Sequence, residues 1–194
     1  LIESLTPLAA AGRIQIYCPD GIDAQSWHNR AIHPADRVRT HLGFENVIRH
    51  DVVPRALRET GRARVAVAGA GFGGYHATNF AFRHPDLVSH LFSLSGTFDI
   101  KPFLDGYYDE NCYFNNPPDY LPNLHDETLL DQLRQITFVL GTGERDPHCA
   151  ESRQLSAVLN TKAIAHVLDD RPGGGHDWSA WREMLPAYLA RIPA

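Results

Sequence analysis

Residues 65–76 read Val-Ala-Val-Ala-Gly-Ala-Gly-Phe-Gly-Gly-Tyr-His, and this stretch decides how the rest of the chain is interpreted. A run of small and β-branched apolar residues ends in four glycines, after which Ala77, Phe80 and Ala81 follow a helical spacing. Glycine permits the backbone angles and the close approach that a sharp turn needs. The stretch therefore predicts a strand, a tight turn and a helix in succession.

Two motifs share this outline, and they predict different chemistry. Gly69, Gly71 and Gly74 fit the dinucleotide fingerprint G-x-G-x-x-G, in which glycines let the backbone approach a pyrophosphate. Gly69 and Gly73 also fit the nucleophile elbow G-x-S-x-G, with Gly71 at the position of the serine. The fingerprint requires an acidic residue at the end of the next strand, to bind a ribose hydroxyl. The predicted strand 88–94 is followed by Ser-Gly instead, which disfavours a dinucleotide-binding oxidoreductase.

Composition excludes several classes of partner. The chain has 194 residues, and 18 basic against 23 acidic side chains give it a formal charge of −5. This balance argues against a nucleic-acid partner, which needs a basic surface, and no apolar run approaches the ~20 residues of a membrane span. The 11 histidines form no H-E-x-x-H pattern, so neither a metal site nor a cofactor is expected. The sequence leaves localisation open, with the cytoplasm slightly favoured, and does not specify the oligomeric state.

Hydrophobic periodicity along the chain alternates between strand and helix patterns. Strands are predicted at 13–18, 65–68, 88–94, 135–140 and 163–168, and helices at 2–11, at 45–59, from the glycine turn to about 84, and at 148–160. A final helix is predicted to carry Trp181, Met184, Leu185, Tyr188 and Leu189. Pro54 is expected to kink the second helix. This alternation predicts a single α/β domain over residues 1–194 with a mostly parallel sheet.

Three loops at the carboxyl ends of predicted strands carry the candidate chemistry, because ligands of parallel sheets bind at those ends. The glycine turn comes first, the loop 141–146 with Asp146 second, and the loop 172–177 with His176 third. Turn, acid and histidine is the order Ser…Asp…His of the α/β-hydrolase triad.

From residue 13 onward the chain resembles the esterase-like α/β hydrolases, the putative esterase family related to S-formylglutathione hydrolase and mycolyltransferases. The matching stretches are residues 65–74, 83–87 with 93–96, 141–146, and 174–178 with Trp181. The resemblance implies a three-layer α/β-hydrolase sandwich in which Asp146 is the triad acid, His176 the triad base and the Phe72 N–H an oxyanion donor. Gly71 stands at the nucleophile position and has no hydroxyl with which to attack a carbonyl.

Two further expectations concern the beginning of the chain and its long middle segment. No His-Gly strand precedes residue 13, so N-terminal strands of the family are expected to be absent from this chain, or the sheet to be rearranged there. Residues 99–125 show little periodicity and are predicted to be a lid-like insertion. The side chains expected to line the substrate pocket are His76, Tyr107, Tyr108, Tyr113, Phe114 and Trp178, and Phe103 and Tyr120 of residues 99–125 are further candidates.

The sequence thus predicts an esterase-family homologue that is inactive or weakly active on carboxylic esters. The alternative is a non-catalytic protein that uses the acyl pocket to bind a small-molecule ester or acid, or a partner. Ser95 and Cys149 are considered as substitute nucleophiles, and a structural role is favoured for both.

Overall fold

A four-stranded parallel sheet forms the centre of the computed structural model, which describes residues 1–192. Its strands are β1 (Val65–Ala70), β2 (Val88–Leu94), β3 (Thr137–Gly143) and β4 (His166–Arg171). They lie side by side in the order β1-β2-β3-β4, and each runs parallel to the next. The predicted α/β class with a parallel sheet is therefore confirmed.

Helices connect and flank these strands. They are α1 (Ile2–Ala10), α2 (Pro34–Val47), α3 (Val53–Thr60), α4 (Phe72–Arg83), α5 (Glu110–Tyr113), α6 (Pro117–Tyr120), α7 (Glu127–Leu133), α8 (Cys149–Thr161) and α9 (Trp178–Leu189). Within residues 1–192, no helix combines the length and the apolar character that crossing a bilayer would require.

The side chains of β2 alternate between two hydrophobic clusters, one on each face of the sheet, as the two-residue period of a strand dictates. Leu91 packs in one cluster with Phe80 of α4 and Leu155 of α8. Phe92 belongs to the other cluster, with Met184 of α9. Helices thus cover both faces, and the chain forms the three layers of an α/β sandwich.

The strand predicted at 13–18 is wrong. These residues form no ladder with any described strand, and β1 pairs only with β2. The apolar alternation is real, because Ile14 and Ile16 pack against the cluster that contains α9. A strand also needs a neighbour for its backbone groups, and residues 13–18 have none within residues 1–192. Tyr17 instead donates its hydroxyl hydrogen to Glu59 of α3, at 2.6 Å.

The helix predicted at 45–59 begins earlier, at Pro34. His33 caps it, because its Nδ1 accepts a hydrogen bond of 3.2 Å from the N–H of Ala35, and proline suits the first helical position. The polar character of residues 34–43 hides this first part of the helix from a hydrophobic pattern. A π-helical turn, Ile48–Val52, joins α2 to α3, whose first two residues are Val53 and Pro54. The kink expected at Pro54 stays a prediction.

The segment 99–125 contains the short helices α5 and α6 and two 3₁₀ turns, Lys101–Phe103 and Leu121–Asn123. Buried hydrogen bonds fix it to the helix that follows the glycine turn. Asn115 accepts from Asn79 of α4 at 2.8 Å, and its backbone carbonyl accepts from Tyr75 of α4 at 2.9 Å. His41 of α2 lies 3.1 Å from the same side-chain oxygen of Asn115. The segment is therefore packed onto α4 and α2.

Candidate active site

The glycine turn joins β1 to α4 through a backbone conformation that only glycine adopts easily. Gly71 has φ +57° and ψ −123°, between the end of β1 at Ala70 and the start of α4 at Phe72. A side chain in this region is strained. The flanking glycines serve close packing, since a Cβ on Gly69 would lie 1.9 Å from the carbonyl oxygen of Gly73. Packing of the turn thus accounts for the glycine spacing without a bound phosphate.

Asp146 and His176 meet beside this turn. Asp146 follows β3 and His176 follows β4, so both lie at the same end of the sheet as Gly71. The Nδ1 atom of His176 is 3.0 Å from Oδ1 of Asp146. A Cβ placed on Gly71 would lie 3.3 Å from Nε2, the other ring nitrogen of His176. The three residues that occur in triad order along the chain are therefore adjacent in space.

The environment of Asp146 favours its ionised form. The side chain is fully buried, and burial alone would raise the pKa of this carboxyl. Hydrogen bonds from Ser95, from the backbone N–H of His148 at 2.8 Å and from His176 outweigh burial and hold the pKa below its usual value. An ionised Asp146 accepts the Nδ1 hydrogen of His176, which leaves Nε2 as the proton acceptor of the neutral ring.

Ser95 supports this carboxylate from the end of β2. It is fully buried with φ +53°, and its hydroxyl accepts a hydrogen bond of 2.9 Å from Nε1 of Trp181 while bonding to Asp146. Trp181 in turn packs edge-on against the ring of His176, with centroids 4.9 Å apart. Ser95 therefore contacts the acid side of the site, in keeping with a structural role.

A cleft of about 520 Å³ opens beside Gly71 and His176. Its remaining lining residues are His28, Phe72, Thr97, Asp99, Pro102, Phe103, His148, Glu151 and Gln154. Phe72, Phe103 and His28 pack ring against ring and form its aromatic side. A second, smaller cleft of about 390 Å³ lies between α2 and residues 19–22, and Asp20 is the one ionisable group in its described lining. The larger cleft is the candidate active site, because Gly71 and His176 line it.

The six side chains predicted for the pocket do not line this cleft. These side chains make contacts elsewhere, and three of them form hydrogen bonds with nearby carboxylates. His76 bonds through Nε2 to Asp23 at 2.7 Å, behind the turn. Tyr107 donates to Asp109 at 2.7 Å, and Tyr108 donates to Asp119, so both hydroxyls are engaged within the segment 99–125.

The other three are packed in pairs or exposed. Tyr113 and Phe114 stack edge to face with each other, at a centroid distance of 5.1 Å. Trp178 is 56% exposed and lies edge-on to Trp181, on the side of α9. Of the further candidates in the segment 99–125, Phe103 does line the cleft, beside Asp99 and Pro102, whereas Tyr120 packs against the hydrophobic cluster of Leu91.

Sequence reasoning missed the polar side of the cleft, which His148, Glu151 and Thr97 form. A signal was present, because His148 follows Asp146 by two residues and Glu151 follows His148 by three in the same loop and first helical turn. In residues 1–192, no group of three or more histidine, cysteine, aspartate or glutamate side chains is placed so that it could hold a metal ion.

Together, the parallel sheet, the turn after β1 and the acid and histidine after β3 and β4 define an α/β-hydrolase-like fold. The sequence model of the family described as "Putative esterase" matches residues 3–192. The chain therefore belongs to the putative esterase family. No curated protein sequence matches it.

Solved structures agree with this fold. A ferulic acid esterase is 19% identical with a TM-score of 0.63, and the match covers 75% of this chain and 58% of that one. A mutant feruloyl esterase module from Clostridium thermocellum, complexed with sinapinate, is 16% identical with a TM-score of 0.54, covering 75% and 56%. An acylaminoacyl peptidase from Pyrococcus horikoshii is 19% identical with a TM-score of 0.52, covering 80% and 27%. The chain thus spans little more than half of the two esterases.

Proposed function

We propose that this chain is an esterase-family homologue without a side-chain nucleophile, which hydrolyses carboxylic esters weakly or not at all. Family membership supports carboxylic esters as the substrate class. The observation that carries the proposal is the position of Gly71: it has the strained backbone of an elbow nucleophile, and its Cβ position lies 3.3 Å from His176 Nε2. A serine at this position would place its hydroxyl beside the histidine, whereas glycine offers none.

Weak hydrolysis would proceed by direct attack of water. The Nε2 of His176 accepts a proton from water while the water oxygen bonds to the ester carbon, and the ionised Asp146 stabilises the resulting imidazolium. The N–H of Phe72 has no helical partner, because Phe72 begins α4, and it can donate to the developing oxyanion. General base catalysis of this kind contributes about 10²–10⁴-fold, far less than a complete triad.

The second candidate is a non-catalytic binding protein for a small ester or acid. The cleft favours it, because about 520 Å³ is within the usual range of about 300–1,000 Å³ for small-molecule sites. In either case we assign residues 99–125 a lid-like role, since Asp99, Pro102 and Phe103 of this segment form part of the cleft wall.

Hydrolysis of p-nitrophenyl acetate and p-nitrophenyl butyrate by the purified chain separates the two candidates. Turnover above the buffer rate that is lost in His176→Ala supports direct water attack. Absence of turnover, together with saturable binding of butyrate or butyrate esters measured by calorimetry, supports the binding protein. Covalent labelling of the unmodified chain by a fluorophosphonate would contradict the proposal, because it would reveal a serine nucleophile elsewhere.

A further inference from the structure

A second histidine–carboxylate pair lines the same cleft as the first. The Nδ1 atom of His148 is 2.8 Å from Oε1 of Glu151 and 2.9 Å from the hydroxyl of Thr97. The rings of His148 and His176 are only 5.2 Å apart, centroid to centroid, and both residues line the cleft with Gly71. Of the three histidines that line the cleft, His148 and His176 are therefore each backed by a carboxylate of their own.

Hydrogen bonding fixes how His148 is presented to the cleft. Both partners of its Nδ1 can accept a hydrogen, so Nδ1 carries one and donates it toward Glu151. With Nδ1 engaged by these partners, Nε2 is the ring nitrogen left to meet a molecule in the cleft that His148 lines. Within residues 1–192, Nε2 of His148 has no hydrogen-bond partner, as is also true of Nε2 of His176.

The second pair is rigidly supported. The other carboxylate oxygen of Glu151 accepts from the backbone N–H groups of Phe98 and Asp99, at 2.7 and 3.3 Å. The backbone N–H of His148 donates to Asp146, so the loop after β3 links the second pair to the carboxylate of the first. Besides Glu151, the ionisable groups around His148 are Asp146, Asp99 and His176. This arrangement exceeds what packing of an exposed loop histidine requires.

We propose that His148, positioned by Glu151, is a further catalytic residue of this site and protonates the alcohol that leaves the ester. The inference rests on the proposed function, because it concerns hydrolysis by direct water attack. With Gly71 no acyl-enzyme forms, so attack and departure belong to one hydrolytic event at a single carbonyl carbon. Because His176 and His148 line the same cleft, His176 can remove a proton from water while His148 supplies a proton to the leaving oxygen.

The proton balance is complete without a co-reactant. His176 Nε2 takes a proton from water as the water oxygen bonds to the carbonyl carbon, and the carbonyl electron pair moves onto its oxygen. When the carbonyl re-forms, the bond from carbon to the alcohol oxygen breaks, and that oxygen takes the proton of protonated His148 Nε2. His176 then releases a proton to solvent and His148 regains one, which leaves a carboxylic acid and an alcohol as products.

The leaving group provides the test. p-Nitrophenolate departs without a proton, whereas an alkoxide from an ethyl ester requires one. In His148→Gln we expect hydrolysis of ethyl butyrate to fall about 10²-fold, the size of a typical general acid contribution, and hydrolysis of p-nitrophenyl butyrate to change less than about threefold. Glu151→Gln, which keeps an oxygen to accept from the backbone, should show the same selective loss. His125→Gln, at an exposed histidine outside the cleft lining, is the matched control.

Equal losses with both esters, or no loss with either, would overturn the assignment and leave His148 with a structural role at most. Circular dichroism and thermal melting of each variant establish that it is folded before rates are compared. A wild-type chain that shows no turnover beyond His176→Ala would also overturn this inference, yet the absence of a nucleophile would stand. Fluorophosphonate labelling of the wild type distinguishes the other failure, because it contradicts the proposed function itself and the role of His148 then falls with it.

Discussion

Substitution of Gly71 by serine is the most direct perturbation of this site. The backbone at position 71 has φ +57° and ψ −123°, which a side chain adopts at a cost of about 1–3 kcal/mol. A destabilisation of 1 kcal/mol lowers the melting temperature of a chain of this length by about 2–4 °C. We therefore expect Gly71→Ser to melt about 2–12 °C below the wild type while retaining its fold.

The geometry also sets the expected activity. A serine hydroxyl about 2.8 Å from a ring nitrogen places its Cβ about 3.6 Å from that nitrogen, whereas the Cβ position on Gly71 is 3.3 Å from His176 Nε2. The ring must withdraw by about 0.3 Å, which its partly exposed position permits. A complete triad is worth about 10⁶-fold in kcat, and imperfect placement removes about 10²-fold of it. A gain of about 10⁴-fold over the wild type is expected.

The assay is hydrolysis of p-nitrophenyl butyrate, with labelling by a fluorophosphonate and intact mass to locate the adduct. Gly71→Ala is the matched control, because it carries the same backbone strain and the same Cβ without a hydroxyl. The two variants should melt alike, and only the serine variant should gain activity and label. A folded serine variant that neither labels nor turns over ester would refute the conclusion that Gly71 occupies the nucleophile position of an otherwise intact site.

Three further predictions concern stability. Gly69→Ala should yield little folded protein, since the added Cβ would lie 1.9 Å from the carbonyl oxygen of Gly73. A soluble variant that melts at the wild-type temperature would contradict this close packing of the turn. Ser95→Ala should lower the free energy of unfolding by about 1–3 kcal/mol in urea titrations, because the buried indole N–H of Trp181 loses its acceptor. Burial lowers the pKa of His41 from 6.5 to about 3. Between these two pH values the unfolded chain binds a proton that the folded chain does not, so the free energy of unfolding falls as the pH falls. Between pH 6 and 4.5, His41→Gln should reduce this loss by about 1.4 kcal/mol per pH unit in urea titrations, and an unchanged slope would show that His41 is not held neutral.

The fold was predictable because its strands are apolar runs separated by helical periods. β2 matches its predicted range, and the class follows from the alternation of elements. Residues 13–18 show the limit of predicting strands from hydrophobic periodicity, because periodicity indicates which side chains are buried and not whether a neighbouring strand is present. The early start of α2 was hidden because a capping histidine and a proline set it, rather than an apolar stripe.

The triad-like residues were predictable from their order and from the rule that parallel strands place their loops at one edge. The composition of the cleft was not, because it depends on which side chain of a loop turns inward. Tyr107 and Tyr108 looked suitable for a pocket, yet carboxylates of their own segment hold their hydroxyls. The spacing of His148 and Glu151 in the sequence allows a pair, but their place in the cleft depends on how the loop after β3 packs against residues 97–99.

The contacts of Asp146 have a consequence for how such sites persist. Its buried carboxylate accepts from Ser95 after β2, from the loop after β3 and from His176 after β4. Removing it would leave donors of three different loops unsatisfied, a loss that the fold bears whether or not any ester is hydrolysed. The pair of Asp146 and His176 therefore helps to hold these loops together, independently of any reaction at Gly71.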